Sequence, residues 1–277
     1  MGRRAALRTI AGLLLAATAV ATFVGLGFWQ LDRHEQLGRR NALLTARLQA
    51  EPLPFDRLTT GLDPNAPAGA ASDGRFRPVR ATGRFLPEHE VLLRGRALEG
   101  QPGHHVLTPL LLEGGVEPRA VLVDRGWVPY RVNDPDVPSF APPQGTVRIV
   151  GRLMPEQDAP TGLAASLAPR DPTEGRLETV ARADVQRLQR QVPVSLEPWW
   201  IELASYQASS PGGPGSVDVT QVEGELPIVP PPPRPERGPH LSYALQWFFF
   251  AAVTVVGSIA LLRRAVQSGR ADRGHGL

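Results

Sequence analysis

The chain has no cysteine. That absence excludes disulfides, thiol redox chemistry, thiolate metal sites, iron–sulfur clusters and covalent c-type haem attachment in one step. Lysine is missing too, so all 30 basic residues are arginine, and neither a Schiff-base lysine nor the lysine of a phosphate-binding loop is available. The hydrolase patterns G-x-S-x-G and H-E-x-x-H do not occur, and scattered Ser, His and Asp residues do not make a triad. The expectation is a non-enzyme. A basic surface is lacking as well. The formal net charge is +3, but Arg3, Arg4, Arg8, Arg263, Arg264, Arg270 and Arg273 crowd the two ends with Asp272 as their only acid; the remainder holds 23 basic and 26 acidic residues, net −3. The middle has no electrostatic footprint for nucleic acid, and the terminal arginines read as membrane-topology signals.

What the chain does have is two long apolar runs. The second, PHLSYALQWFFFAAVTVVGSIALLRR from Pro239 to Arg264, offers about 20 uncharged residues, enough to cross a hydrocarbon core roughly 30 Å thick. The first, Thr9 to Gln30, is of similar length. Its leading arginines and small residues also permit a cleaved signal, but an apolar run longer than the usual signal core favours a retained anchor. No acid-poor amphipathic presequence precedes it, which points to a bacterial plasma membrane. The arginines after the second span outweigh Arg234 and Arg237 before it, while Arg33, Arg39 and Arg40 leave the first span tied; both termini are expected in the cytoplasm and the middle outside.

Between the spans the period changes. The helix is expected to run past Gln30, with a thin stripe of Leu37, Leu44 and Leu48, until Pro52 stops it. A small-residue loop follows from Pro64 to Gly74. From Arg75 to Met154 short alternating runs, such as Val79 and Ala81 against Arg80 and Thr82, predict strands, with Gly83, Gly95, Gly100, Gly114, Gly115, Gly145 and Gly151 supplying bends. Near-helical spacing of Val180, Val185, Leu188 and Val192 predicts one soluble helix over Leu177–Val192. VSLEPWWIELASYQ returns to strand, placing Trp199 and Trp200 on opposite faces, one in the core and the other exposed or at a contact. Ser209 to Ser216 is a turn, and Pro227 to Pro235 an extended polyproline strut. The fold class is therefore a membrane protein with two transmembrane helices flanking an external, mainly antiparallel β domain that curls into a small barrel or sandwich and carries one or two helices. The boundaries are 1–8 cytoplasmic, 9–30 first span, 31–238 external domain with a Pro-rich linker at 227–238, 239–262 second span and 263–277 cytoplasmic tail.

Histidine is the one strong transition-metal ligand left, at six positions. His104 and His105 point to opposite faces of a strand; His89 sits in a PEHE turn, His34 among charges and His275 in the tail. His240 differs, because it stands where a helix meets the membrane, ahead of Tyr243, Ala244 and Trp247 at helical spacing. Two alternatives stand open for it. It ligates the iron of a lipophilic haem, with Tyr243 and Trp247 flanking the macrocycle, or all three belong to an interfacial aromatic belt. The first span ends comparably in Phe28, Trp29 and Gln30.

Four motifs, in order, resemble the surfeit locus protein 1 family of cytochrome c oxidase assembly factors: GFWQLDR from Gly27 to Arg33; VRATGRFLPEHEVLLRGR; the long stretch ending VDRGWVP; and PHLSYALQWF. The resemblance implies a membrane protein that receives haem a from its synthase and supports insertion into the large subunit of the oxidase, with membrane lipid as a further partner. It places the haem-ligand histidine on His240 and motif positions on Trp29, Gln30, Arg33, Asp124, Arg125, Gly126 and Trp127. For the last four, partner contact stands beside a purely internal role, a turn with an Asp to Arg pair and a buried tryptophan.

Overall fold

In a computed structural model, residues 3–67, 70, 72–131, 139–157, 162, 168–209, 216–219, 225–236 and 238–274 are described. His275, Arg237 and most of the Ser209–Ser216 turn lie outside the described residues, as does part of the Pro64–Gly74 loop. The chain divides into two compact units, Met1–Leu43 with Arg234–Leu277, and Leu44–Pro233.

The first unit holds the apolar helices. Helix α1 spans Arg3–Leu48 without a break, about 69 Å at 1.5 Å per residue, so it extends well beyond one hydrocarbon core. Its end at Leu48 comes before Pro52, because Thr45 and Arg47 already close the last turn through Gln49 N and Ala50 N. The C-terminal helix runs His240–Gly274. Both contain stretches long and apolar enough to cross a membrane, and most of that apolar surface is uncovered by protein, as for Leu14, Leu15, Leu245, Val256 and Leu261. Two such helices around a sheet domain match a membrane protein.

The second unit is built on one mixed sheet. Its strands are β1 Leu53–Pro54, β2 Pro78–Phe85, β3 Val91–Leu98, β4 Gln101–Leu112, β5 Arg119–Pro129, β6 Val147–Pro155, β7 Thr179–Val180, β8 Ser195–Ser209 and β9 Ser216–Val219. The order is β1-β2-β6-β8-β5-β4-β3-β7, with β9 on β8 and a further β2–β4 pairing. That last pairing closes β2, β6, β8, β5 and β4 into a ring. Gly83 sits where the ring closes: a Cβ there would run into the carbonyl of Leu111. Gly83 and Gly151 thus serve close backbone approach inside strands, whereas Gly100, at φ +82° between β3 and β4, makes a turn as expected. Antiparallel pairs dominate, but β5–β8, β1–β2 and β3–β7 are parallel.

Two cores result. One fills the ring with Val79, Phe85, Leu110, Val121, Val123, Ile149, Leu153, Trp199 and Ile201. The other lies on the outer face of β3, β4, β5 and β8, where Val91, Leu93, Leu107, Leu122 and Trp200 meet Leu177, Val180, Val185, Leu188 and Val192. Here the sequence-based expectation of one helix over Leu177–Val192 fails. Thr179–Val180 adds to the sheet as β7, and only Val185–Gln189 is helical, as α3 between α2 (Phe55–Thr59) and the C-terminal helix, here α4. The cause is local: Asp184 accepts from Arg187 N at 2.8 Å as an N-cap, starting the helix midway. The same four apolar side chains are buried all the same. Trp199 and Trp200 do take opposite faces, yet both are buried, because β8 has a core on each side.

Candidate functional site

Within the first unit, α1 and α4 meet along buried or half-buried positions spaced alternately four and three apart. Phe23, Gly27 and Gln30 supply α1; His240, Ala244, Trp247 and Ala251 supply α4. A 3.5-residue repeat with small residues at closest approach is the geometry of packed membrane helices. Phe23 stacks on Trp247 at 5.8 Å between centroids, and Phe28 meets Phe248 edge-on at 5.4 Å. Gly27 is required by space, since a Cβ there would lie 2.6 Å from the Phe248 ring. The chain ahead of α4 follows α1: Asn41 Nδ2 donates to Glu236 O at 2.8 Å, and Gly238 lies against Leu37.

At the head of this pairing His240 Nδ1 lies 2.9 Å from Gln30 Oε1. An amide oxygen only accepts, so Nδ1 is the donor in this contact, and in the neutral imidazole Nε2 is then the nitrogen with the lone pair. An imidazole whose Nδ1 is held by an acceptor and which offers Nε2 is the kind of donor that a haem iron takes, so His240 fits that group. The remaining sequence-selected residues divide. Trp247 faces α1 through Phe23, whereas Tyr243, one turn earlier on α4, is 47 % exposed. Trp29 is exposed too, and Arg33 makes only a long 3.5 Å contact to Gln36.

In the second unit, Asp124, Arg125, Gly126 and Trp127 lie in the middle of β5, not in a turn, and Asp124 does not pair with Arg125. Alternation sends the two side chains to opposite faces. Asp124 accepts from His105 Nδ1 at 2.7 Å and from Gly126 N at 3.0 Å. Arg125 donates to Thr108 Oγ1 at 2.9 Å, Glu90 Oε2 at 3.0 Å and the Phe140 carbonyl. Burial pulls the Arg125 pKa below the ordinary guanidinium value, against the opposing pull of Glu90. Gly126 has φ +131°, and a Cβ would strike the Ile228 carbonyl, which accepts from Trp127 N at 2.7 Å. Ile228 N returns a bond to Trp127 O at 2.8 Å, and Arg152 reaches Pro230 O, so the start of the proline-rich segment is fastened to β5 and β6 rather than free. All four residues are engaged inside the domain. The acids beside His89 are not shared with it as a metal site: Glu90 turns to Arg125, and no cluster of three potential metal ligands occurs among the described residues. Sequence reasoning missed Phe23, Glu90, Thr108 and Gly238. Phe23 alone left a local signal, four residues before Gly27.

The model of the SURF1 family matches residues 17–252, from the first apolar helix into the second. The chain belongs to the SURF1 family. That is a family of cytochrome c oxidase assembly factors, not a catalytic one. An uncharacterized SURF1-like protein of Mycobacterium tuberculosis is 31 % identical over 248 residues, 88 % of this chain and 79 % of the relative. The SURF1-like protein of Monosiga brevicollis is 26 % identical over 263 residues, 90 % and 87 % of the two chains. Surfeit locus protein 1 of mouse is 26 % identical over 260 residues, 87 % of this chain and 71 % of its own length. SURF1 membership therefore extends over both apolar helices and the β domain between them.

Proposed function

We propose that this SURF1 family protein binds haem a transiently through His240, receives it from the haem a synthase and supports its insertion into the large subunit of cytochrome c oxidase. The observation that carries the proposal is the bond between Gln30 and His240, which joins the first and last family motifs and engages Nδ1, leaving Nε2 outside that bond. Bound haem a would supply an iron that takes an imidazole nitrogen as ligand. His240 provides one such nitrogen. One ligand suits a carrier, which has to hold its cargo firmly enough against loss and weakly enough for release. Tyr243 presents an exposed ring one turn after His240, and Trp247, one turn further along α4, packs on Phe23. We place the protein in a bacterial plasma membrane, surrounded by lipid; the arginine distribution supports both termini in the cytoplasm and the β domain outside.

The test is an absorption spectrum of the detergent-purified protein made beside the haem a synthesis enzymes, with His240→Ala as control. A haem a spectrum that collapses in the variant is the expected result. Two colourless samples, with oxidase still poorly assembled when the protein is absent, would replace the carrier with a cofactor-free scaffold for an assembly intermediate.

A further inference from the structure

We propose that Gln30 is the positioning residue for His240: its side-chain oxygen holds the imidazole as the Nδ1–H tautomer and thereby makes Nε2 the ligating nitrogen. The contact between Gln30 Oε1 and His240 Nδ1 carries the tautomer assignment, and what Nε2 ligates rests on the haem reading above. A neutral imidazole carries one proton on either nitrogen, and the protonated one cannot bind a metal. The choice is set by the hydrogen bond of the opposite nitrogen, and metal-binding histidines almost always give that N–H to a nearby acceptor. Gln30 supplies such an acceptor at 2.9 Å in a part-buried position on α1, 210 residues away in sequence. A partly covered bond of normal length competes with water better than an exposed one.

Gly238 completes the setting. A Cβ built on it would lie 2.8 Å from Nε2 and 2.9 Å from Cδ2 of His240. A point on the Nε2 lone-pair axis would be markedly farther from Cδ2 than from Nε2, so the near equality puts the glycine beside the Nε2–Cδ2 bond and off that axis. The absence of a side chain at residue 238 therefore leaves the space that the Nε2–Cδ2 edge of the ring needs, and a side chain there would collide with the ring.

The experiment uses the full chain in detergent with ¹⁵N-labelled histidine, the His240 signals being assigned by difference against His240→Ala. Near pH 8 the wild type is expected to show a protonated Nδ1 and an unprotonated Nε2. Gln30→Leu is expected to give a mixture of tautomers and to weaken binding of added ferric haem by about 10- to 100-fold, the usual loss on removing an outer partner of a metal ligand. Gln30→Glu keeps an acceptor at the same place and is expected to restore both properties, which separates positioning from a general failure to fold. An unchanged His240 tautomer in Gln30→Leu would overturn the proposal. If the tautomer shifts as expected while His240→Ala still binds ferric haem like the wild type, the tautomer assignment stands and the haem-ligand role of His240 falls.

Discussion

His104 and His105 are adjacent in sequence and opposite in circumstance. His105 gives its Nδ1 proton to Asp124 at 2.7 Å. His104, on the other face of β4, is covered and stacks on Tyr130 at 5.2 Å between ring centroids, and burial lowers its pKa from the ordinary value of 6.5. The folded state therefore binds this proton less readily than the unfolded chain. Stability contributed by His104 is full above the unfolded pKa and is lost as pH falls from about 6.5 through the lower folded value. Thermal unfolding of wild type and His104→Phe between pH 5 and 8 is expected to show a flatter acid limb in the variant, which keeps the ring stack and removes the titrating nitrogen; equal slopes would contradict this. The opposite faces of the two histidines were legible from strand period alone. The partner of Asp124 was not. Proximity in VDRGW suggested Arg125, whereas in an extended strand neighbouring residues are the pair that cannot meet.

At the scale of elements, strand period and turn glycines located the main strands, because alternation is a local property. It failed over Leu177–Val192, where apolar spacing suits a helix but the Asp184 cap and the open edge of β3 divide the segment between strand and helix. It also undervalued one tryptophan. Trp199 and Trp200 are 2 % and 6 % exposed, in separate cores. Each Trp→Ala change is expected to destabilise the β domain by about 3–5 kcal/mol, measured by denaturant unfolding. A cost below about 1 kcal/mol for Trp200→Ala would mean that its face is not a core. Trp200 Nε1 also donates to Pro155 O at 2.6 Å, so its loss removes a buried hydrogen bond as well as volume.

For the whole molecule, the described residues of both β cores all lie within Leu44–Pro233. A fragment of those residues is therefore expected to fold without the apolar helices, giving a β-type circular dichroism spectrum and one cooperative unfolding transition. A fragment without cooperative unfolding would show that the membrane helices are needed for the domain to fold. With no cysteine in the chain, burial is the source of that cooperativity. The sequence by itself determined the two apolar helices, the β character of the middle and the family, since span length, residue period and motifs are written in contiguous stretches. Only the tertiary structure decided that β2 closes onto β4, that β5 and the middle of β8 are buried on both faces, and that Gln30 meets His240. Each of these joins segments far apart in the chain, and a local pattern shows which face of an element is apolar without showing what will cover it.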